Sequence, residues 1–491
     1  MFAVYMTVSY PLLRTLRDQL LSPEIANEKS NALLQGSILR SLAKIGVPVI
    51  LANLLQSGYI MIDAFWVGRL GDKAVAAISV SQPIIFLAFA LGIGLSVAGT
   101  TLVAQCIGAR LYQQANDIAA QVFTLSILFS IPIAVAGYFL APWMLHALGT
   151  QNEVFPYALS FLRVIISGII FTFGFSMLQS LMRGAGEVRI PLLITLGTLI
   201  LNAIMDPLLI FGYGIIPAFG VAGAAIATLI NQGIAMIAGL LVLRFGRVGL
   251  KIYFRAMRPK VEMVKSVVRL GMPASIELCA HALGASGMMT LVTGLGTDVT
   301  AAYGVVININ ALVIVPAIGM SIATATLVGQ NVGAGQSERA RAIGRLSGAI
   351  SFLILTAIGL IGVVFSPYII GTFAPDQPMV IAHGTHFFHL IAPSYGLIGL
   401  QMALNGAFRA TGRTMTTMVL ALVSQWLIQI PLAWGLSHYT SLGVSGLWWA
   451  FPITNLLMAG LTIMFFERID WQRSTLTHSL GASSEKQPDT V

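Results

Sequence analysis

The chain has 491 residues, 57% of them hydrophobic and only 9% charged, with a mean hydropathy of +0.86; soluble domains carry roughly a quarter charged residues. That composition excludes a soluble enzyme and demands repeated segments of about 20 apolar residues, each long enough to cross a hydrocarbon layer roughly 30 Å thick. The formal charge of +9 would suggest nucleic acid in a soluble chain, so its placement along the sequence has to be read first.

Met1 to Tyr10 is apolar, but Arg14, Arg17 and Asp18 follow instead of a small-residue cleavage site, so residues 1–42 read as a cytosolic tail. Apolar runs bounded by Gly, Pro or charge then predict twelve helices, at 43–67, 76–105, 117–145, 155–182, 189–212, 220–245, 268–292, 300–330, 342–370, 379–408, 414–437 and 443–466. The expected fold is an all-α membrane protein: a six-helix bundle over 43–245, a linker over 246–267, a second bundle over 268–466 and a tail over 467–491. The linker is basic and contains Tyr253, Phe254 and Met257, which suits an interfacial segment. Cys106 and Cys279 both fall inside apolar runs, so no disulfide framework or thiolate metal site is expected.

Basic residues alternate with the connections. Of the 27, 24 lie on one side, in the tails, the even-numbered connections and the helix ends that flank them, Arg69 and Lys73 lie on the other in the first odd-numbered connection, and Arg163 lies within a span. The positive charge is therefore an orientation signal that places both termini in the cytosol, and no nucleic-acid partner is expected.

Sliding the sequence by 225 residues superposes Gly46-Val47-Pro48 on Gly271-Met272-Pro273, and Thr101-Leu102-Val103 with Gln105 on Thr326-Leu327-Val328 with Gln330. At offsets drifting between 226 and 223, Arg183 and Gly186 match Arg409 and Gly412, and Gly220 and Gly223 match Gly443 and Gly446. Each half has six spans, so the halves share one orientation and are related by a pseudo-twofold axis along the membrane normal, an arrangement suited to rocking around a central cleft.

Ionisable groups at membrane depth are costly and mark functional candidates. These are Asp63, Arg163, Asp206, Glu277 and His281. Gln56, Tyr59 and Asp63 share one face of the first helix, as do Thr198, Asn202 and Asp206 on the fifth, while Thr228, Asn231 and Gln232 on the sixth reach similar depth. Met288 and Ile430 occupy the repeat positions of Asp63 and Asp206, so packing does not demand an acid there. Two carboxylates among amides and hydroxyls suit a shared proton or a Na+ ion, with Pro207 freeing a backbone carbonyl nearby; helix-end acids are the plainer alternative. Glu277 and His281, one turn apart, suit a proton relay, a cationic-substrate contact or a satisfied intrahelical pair lining a wet cavity. Arg163 reads as a snorkelling or carboxylate-paired structural residue, and His383, His386 and His389 as a solvated helix face despite their metal-like spacing. Met288-Met289, the set Phe171, Phe173 and Phe175, and Trp448-Trp449 offer either a pocket or ordinary packing.

Pro48 through Tyr59-Ile-Met-Ile-Asp63 to Val67-Gly68-Arg69-Leu70-Gly71, Thr101-Leu102-Val103-Ala104-Gln105 and their repeats resemble the multidrug and toxic compound extrusion (MATE) family, over about 40 to 466. Asn202-Ala-Ile-Met-Asp206-Pro207 and Gly220-Val-Ala-Gly223 are similar to its branch named after the DNA-damage-inducible F protein. That resemblance implies a cation-coupling site at Asp63, Asp206, Asn202 and Thr228. Gln56, Tyr59, Gln232, Glu277, His281 and Met288 are candidates for the substrate cleft. The NorM branch places an acid on the seventh helix eight residues after its Pro and another on the tenth; here the first position is His281 and the tenth helix has no acid.

The functional expectation is a secondary antiporter in a bacterial inner membrane, working as a monomer. It would export amphipathic or cationic organic compounds in exchange for H+ or Na+, with no cofactor and no metal beyond Na+ at Asp63 and Asp206. With no Walker A pattern in the chain, ATP does not drive it. The alternative is a flippase of a lipid-linked intermediate, whose diphosphate would demand several cationic residues in the cleft. No intramembrane zinc motif or nucleophile–base pair points to catalysis.

Overall fold

Lipid offers the backbone no hydrogen-bond partner, so an apolar chain crosses it as helices, and the computed structural model, which describes residues 33–214, 217–245 and 249–472, follows that rule. Its spans are α1 (Ile38–Gly68), α2 (Asp72–Gly108), α3 (Tyr112–Ala147), α4 (Phe155–Ser167 and Ile169–Gly184, bent by 48°), α5 (Arg189–Phe211) and α6 (Val221–Arg244) in the N-lobe. The C-lobe has α7 (Val261–Thr293), α8 (Thr297–Gly333), α9 (Ser337–Phe373), α10 (Pro378–Ala410), α11 (Thr414–Tyr439) and α12 (Val444–Glu467). The tail residues Arg14, Arg17, Lys29, Arg473 and Lys486 lie outside the described residues.

Several helices run past the predicted apolar runs, because a helix is stopped by backbone geometry and not by the edge of the hydrocarbon. Many end or begin at glycines with positive φ, which a side chain would strain, and these recur in repeat pairs: Gly71 with Gly296, Gly186 with Gly412, and Gly220 with Gly443. Pro393 gives α10 a 3-10 turn over Ala392–Ser394, and α11 contains a π-helical stretch over Val423–Gln429.

The linker expectation needs one correction. Helix α7 starts at Val261, and Met263, Val267 and Leu270 are buried in the apolar core of the N-lobe beside α2, α3 and the second part of α4. Glu262, Lys265 and Arg269 interrupt the run and hide this apolar stripe from a composition reading. The repeat does the same in reverse: Leu42, Ile45 and Val49 of α1 are buried in the C-lobe core with Leu327, Val328 and Phe408. Each lobe thus lends the beginning of its first helix to the other lobe.

Further along these helices the lobes approach closely at glycines. A Cβ on Gly94 of α2 would sit 2.0 Å from Ser275 Oγ of α7, and one on Gly319 of α8 would sit 2.3 Å from Ile50 of α1. Gly94 and Gly319 are repeat mates, so the two contacts are images of one another.

Candidate functional site

Away from that seam, α1, α5 and α6 converge on a polar cluster in the N-lobe. Asn202 and Asp206, one turn apart on α5, and Asn231 on α6 are buried, Asp206 with 0% exposure; Asp63 on α1 is half-buried. Asn202 Nδ2 donates to Asp63 Oδ1 at 2.6 Å and to Asp206 Oδ2 at 2.9 Å. Its Oδ1 accepts from Asn231 Nδ2 at 2.7 Å, and Asn231 also reaches the Tyr59 hydroxyl at 3.5 Å. Carboxylates only accept, so the amide group of Asn202 has one productive orientation, and Asn231 fixes it from behind.

Both amide hydrogens of Asn202 are spent on acids, yet the two carboxyl groups also stand within hydrogen-bonding reach of each other, with the Thr228 hydroxyl beside Asp63. Asp206 Oδ1 and Asn231 Oδ1 are buried without a hydrogen-bond partner. Two carboxylates so close, in a low dielectric and with an oxygen left over, favour a bound proton or cation between them. The donor set is all oxygen: two carboxylates, amide carbonyls, a hydroxyl and a phenol. It fits a proton or a hard monovalent ion.

The remaining candidates divide. Gln56 is exposed two turns before Asp63 and Gln232 is half-buried beside Asn231, while Tyr59 is buried within the cluster. Met288 is a correction: it is 1% exposed and packs in the C-lobe core with Val292, Val299 and Tyr303, so it lines no open surface. Phe173, Phe175 and Trp448 are likewise buried, Trp448 stacked on Phe387 at 4.1 Å between ring centroids.

Glu277 also departs from expectation. Its carboxylate, 2% exposed, accepts from Arg409 Nη2 at 2.7 Å and from Thr417 Oγ1 at 2.7 Å, which ties α7 to α10 and α11. An acid held by an arginine and a hydroxyl is an anchored counterion rather than one end of a relay. His281 is exposed, and Gln425, projected by the π-helical stretch of α11, crosses Gly284 one turn further along α7. Sequence reasoning assigned Arg409 to a connection; its repeat mate Arg183 likewise folds back, bonding Gln179 and Ser180 on its own helix.

Arg163 lies over the Tyr138 ring at 4.7 Å. His386 contacts Ser445 at 3.1 Å and His389 contacts Ser366 at 3.0 Å, so these imidazoles engage separate partners. Among the described residues no group of three or more His, Cys, Asp or Glu side chains converges.

Comparison with known proteins extends the picture along the chain. The family model described as MatE matches residues 48–208 and 273–435, one match in each lobe. A probable multidrug resistance protein of Bacillus subtilis, YpnP, is 30% identical over 445 residues, covering 90% of this chain and 98% of that protein. A protein of Shewanella oneidensis named FAD transporter is 26% identical over 440 residues, covering 89% and 96%. Among solved structures, an outward-facing multidrug resistance transporter shares the fold with a TM-score of 0.83 at 24% identity, over 89% of this chain and 96% of that one.

Proposed function

The chain belongs to the MatE family of membrane transporters, and from that membership and the paired acids of the N-lobe we infer a secondary antiporter that expels amphipathic or cationic organic compounds against entry of H+ or Na+. The observation that carries the coupling half is Asp63 and Asp206 held on the single amide of Asn202, with Asp206 Oδ1 buried and unpaired. A proton or Na+ at this point relieves the repulsion of the acids; its departure restores it. Occupancy shifts the conformational balance only if the two states bind the ion differently.

Helix α1 supplies the mechanical link. It carries Asp63 in the N-lobe cluster, while its first turns, Leu42, Ile45 and Val49, are packed in the C-lobe core. Ion binding that draws Asp63 toward α5 therefore acts on a helix anchored in both lobes. Pro48, at the end of the C-lobe anchor beside Val49, weakens α1 there by removing one backbone hydrogen bond. On the substrate side, Gln56 and His281, repeat mates and both exposed, are the polar wall residues of the two first helices of the lobes. Glu277 takes no part, because Arg409 neutralises it.

Proteoliposomes loaded with a fluorescent organic cation test this. An imposed inward gradient of H+ or of Na+ drives dye efflux in the wild type, and Asp63→Asn and Asp206→Asn proteins, folded by size-exclusion profile, lose the gradient-driven part. Efflux at wild-type rates in both variants removes the acids from coupling. Lack of dye efflux together with movement of a diphosphate lipid redirects the assignment to lipid intermediates.

A further inference from the structure

At the basic end of the molecule, α4 and α10 finish in the same way. Glu187 N–H donates to Met182 and Gly186 N–H to Arg183, while Arg413 N–H donates to Phe408 and Gly412 N–H to Arg409. With Gly186 and Gly412 in the left-handed region, these turns satisfy the preceding carbonyls and leave the last one of each helix, Gly184 in the N-lobe and Ala410 in the C-lobe, without a backbone donor.

Each of those carbonyls is capped by the opposite lobe. Gln105 of α2 donates to Ala410 O at 2.8 Å, and Gln330 of α8 donates to Gly184 O at 3.0 Å. Both glutamines are fully buried, at 0% exposure, and they are repeat mates. Between them α2 and α8 cross at backbone contact: a Cβ on Gly108 would sit 1.9 Å from Gln330 O, and one on Gly333 would sit 2.0 Å from Gln105 O. Thr101 Oγ1 adds a bond to Arg409 O at 3.0 Å on one side only. A cavity of about 330 Å³, lined in part by Leu34, Gly108, Arg110, Gly333 and Gln336, opens on the basic side of the crossing.

We propose that Gln105 and Gln330 are the paired latch of the inner gate: two buried side-chain amides, each capping the orphan helix-end carbonyl of the other lobe, that hold the basic, cytosolic end shut. They act as positioning residues of the transport cycle. The lobes cannot part at this end without breaking both bonds, and once parted the carbonyls and amides are taken over by water. The latch therefore contributes a modest, reversible bias, and the backbone contact at Gly108 and Gly333 sets the register in which both bonds form together. The proposal rests on the reading of the chain as a transporter that alternates access, but its test needs no substrate.

The experiment uses the full chain in nanodiscs with Cys279→Ser, so that Arg189→Cys and Met415→Cys, at the starts of α5 and α11 on opposite lobes, carry spin labels. Electron–electron distance distributions are compared for the parent, Gln105→Met, Gln330→Met and the double variant; Met keeps the volume and removes the donor. Each single variant is expected to raise the wide-separation population about five-fold and the double about 25-fold, the loss of one net hydrogen bond each. Gly108→Ala, which presses the crossing apart while both amides remain, shifts it the same way. A distribution unchanged in the single variants and in Gly108→Ala overturns the latch. Failure of dye efflux in the parent, with the distance shifts present, overturns the transport reading and leaves the latch standing.

Discussion

Glu277 and Arg409 give the sharpest energetic test, because the two partners are buried unequally. Side-chain exposure is 3% for Glu277 and 23% for Arg409, at a separation of 2.7 Å. Arg409→Met leaves a carboxylate in the C-lobe with the Thr417 hydroxyl alone and no route to water, the situation that costs about 3–5 kcal/mol. Glu277→Gln keeps an acceptor for Arg409, the Thr417 hydroxyl can accept from the new amide while donating to Thr414 O, and Arg409 reaches water through its exposed edge, so its cost is nearer 1–3 kcal/mol. Joint replacement, Glu277→Leu with Arg409→Met, removes both charges and is expected to lie within about 2 kcal/mol of the parent, since a well-packed apolar pair substitutes for a buried ion pair at little loss. The assay is unfolding in mixed micelles followed by tryptophan fluorescence, run as a double-substitution cycle with a Glu277→Leu single. Arg409→Met proving no worse than Glu277→Gln, or a double variant as unstable as the two single losses added, refutes the picture of a buried carboxylate that needs its arginine.

Two further outcomes follow from the packing. Met288→Ala empties a filled C-lobe core position and should cost about 2–5 kcal/mol while leaving the range of exported dyes unaltered; a changed substrate range at parental stability would return Met288 to the cleft wall. Asn231→Leu removes the donor that orients Asn202 and should weaken the apparent ion affinity of efflux by about five- to ten-fold, read from the H+ or Na+ dependence of rate; an unchanged ion dependence would mean that Asn202 is held some other way.

How far the sequence carries depends on which signal a residue leaves. Lipid imposes helices and the 225-residue repeat imposes two lobes, so span number and architecture are legible before any coordinates. The polar cluster of the N-lobe is legible for a related reason: Asp63, Asn202 and Asp206 are exceptions to an apolar background, and Met288 and Ile430, the repeat mates of the two acids, show that packing does not require an acid there. Asn231 was visible as a polar residue on α6, but its importance lies in the direction of a single bond to Asn202, which spacing does not encode. Glu277 misleads a one-dimensional reading, since its nearest ionisable neighbour along the helix, His281, is not the group that neutralises it; Arg409 lies 132 residues away. The latch was hidden differently. Gln105 and Gln330 appear in the repeat alignment, and a buried glutamine in a span must find a partner, but the partners are backbone carbonyls, which every residue has. What singles out Gly184 and Ala410 is the turn that follows each: the same Arg-x-x-Gly pattern that ends both helices also bares the last carbonyl of each toward the other lobe. Repetition in sequence thus marks more than shared ancestry of the halves. Where a repeated side chain meets a repeated helix end across the axis, the symmetry itself places two matched bonds at the seam between the lobes.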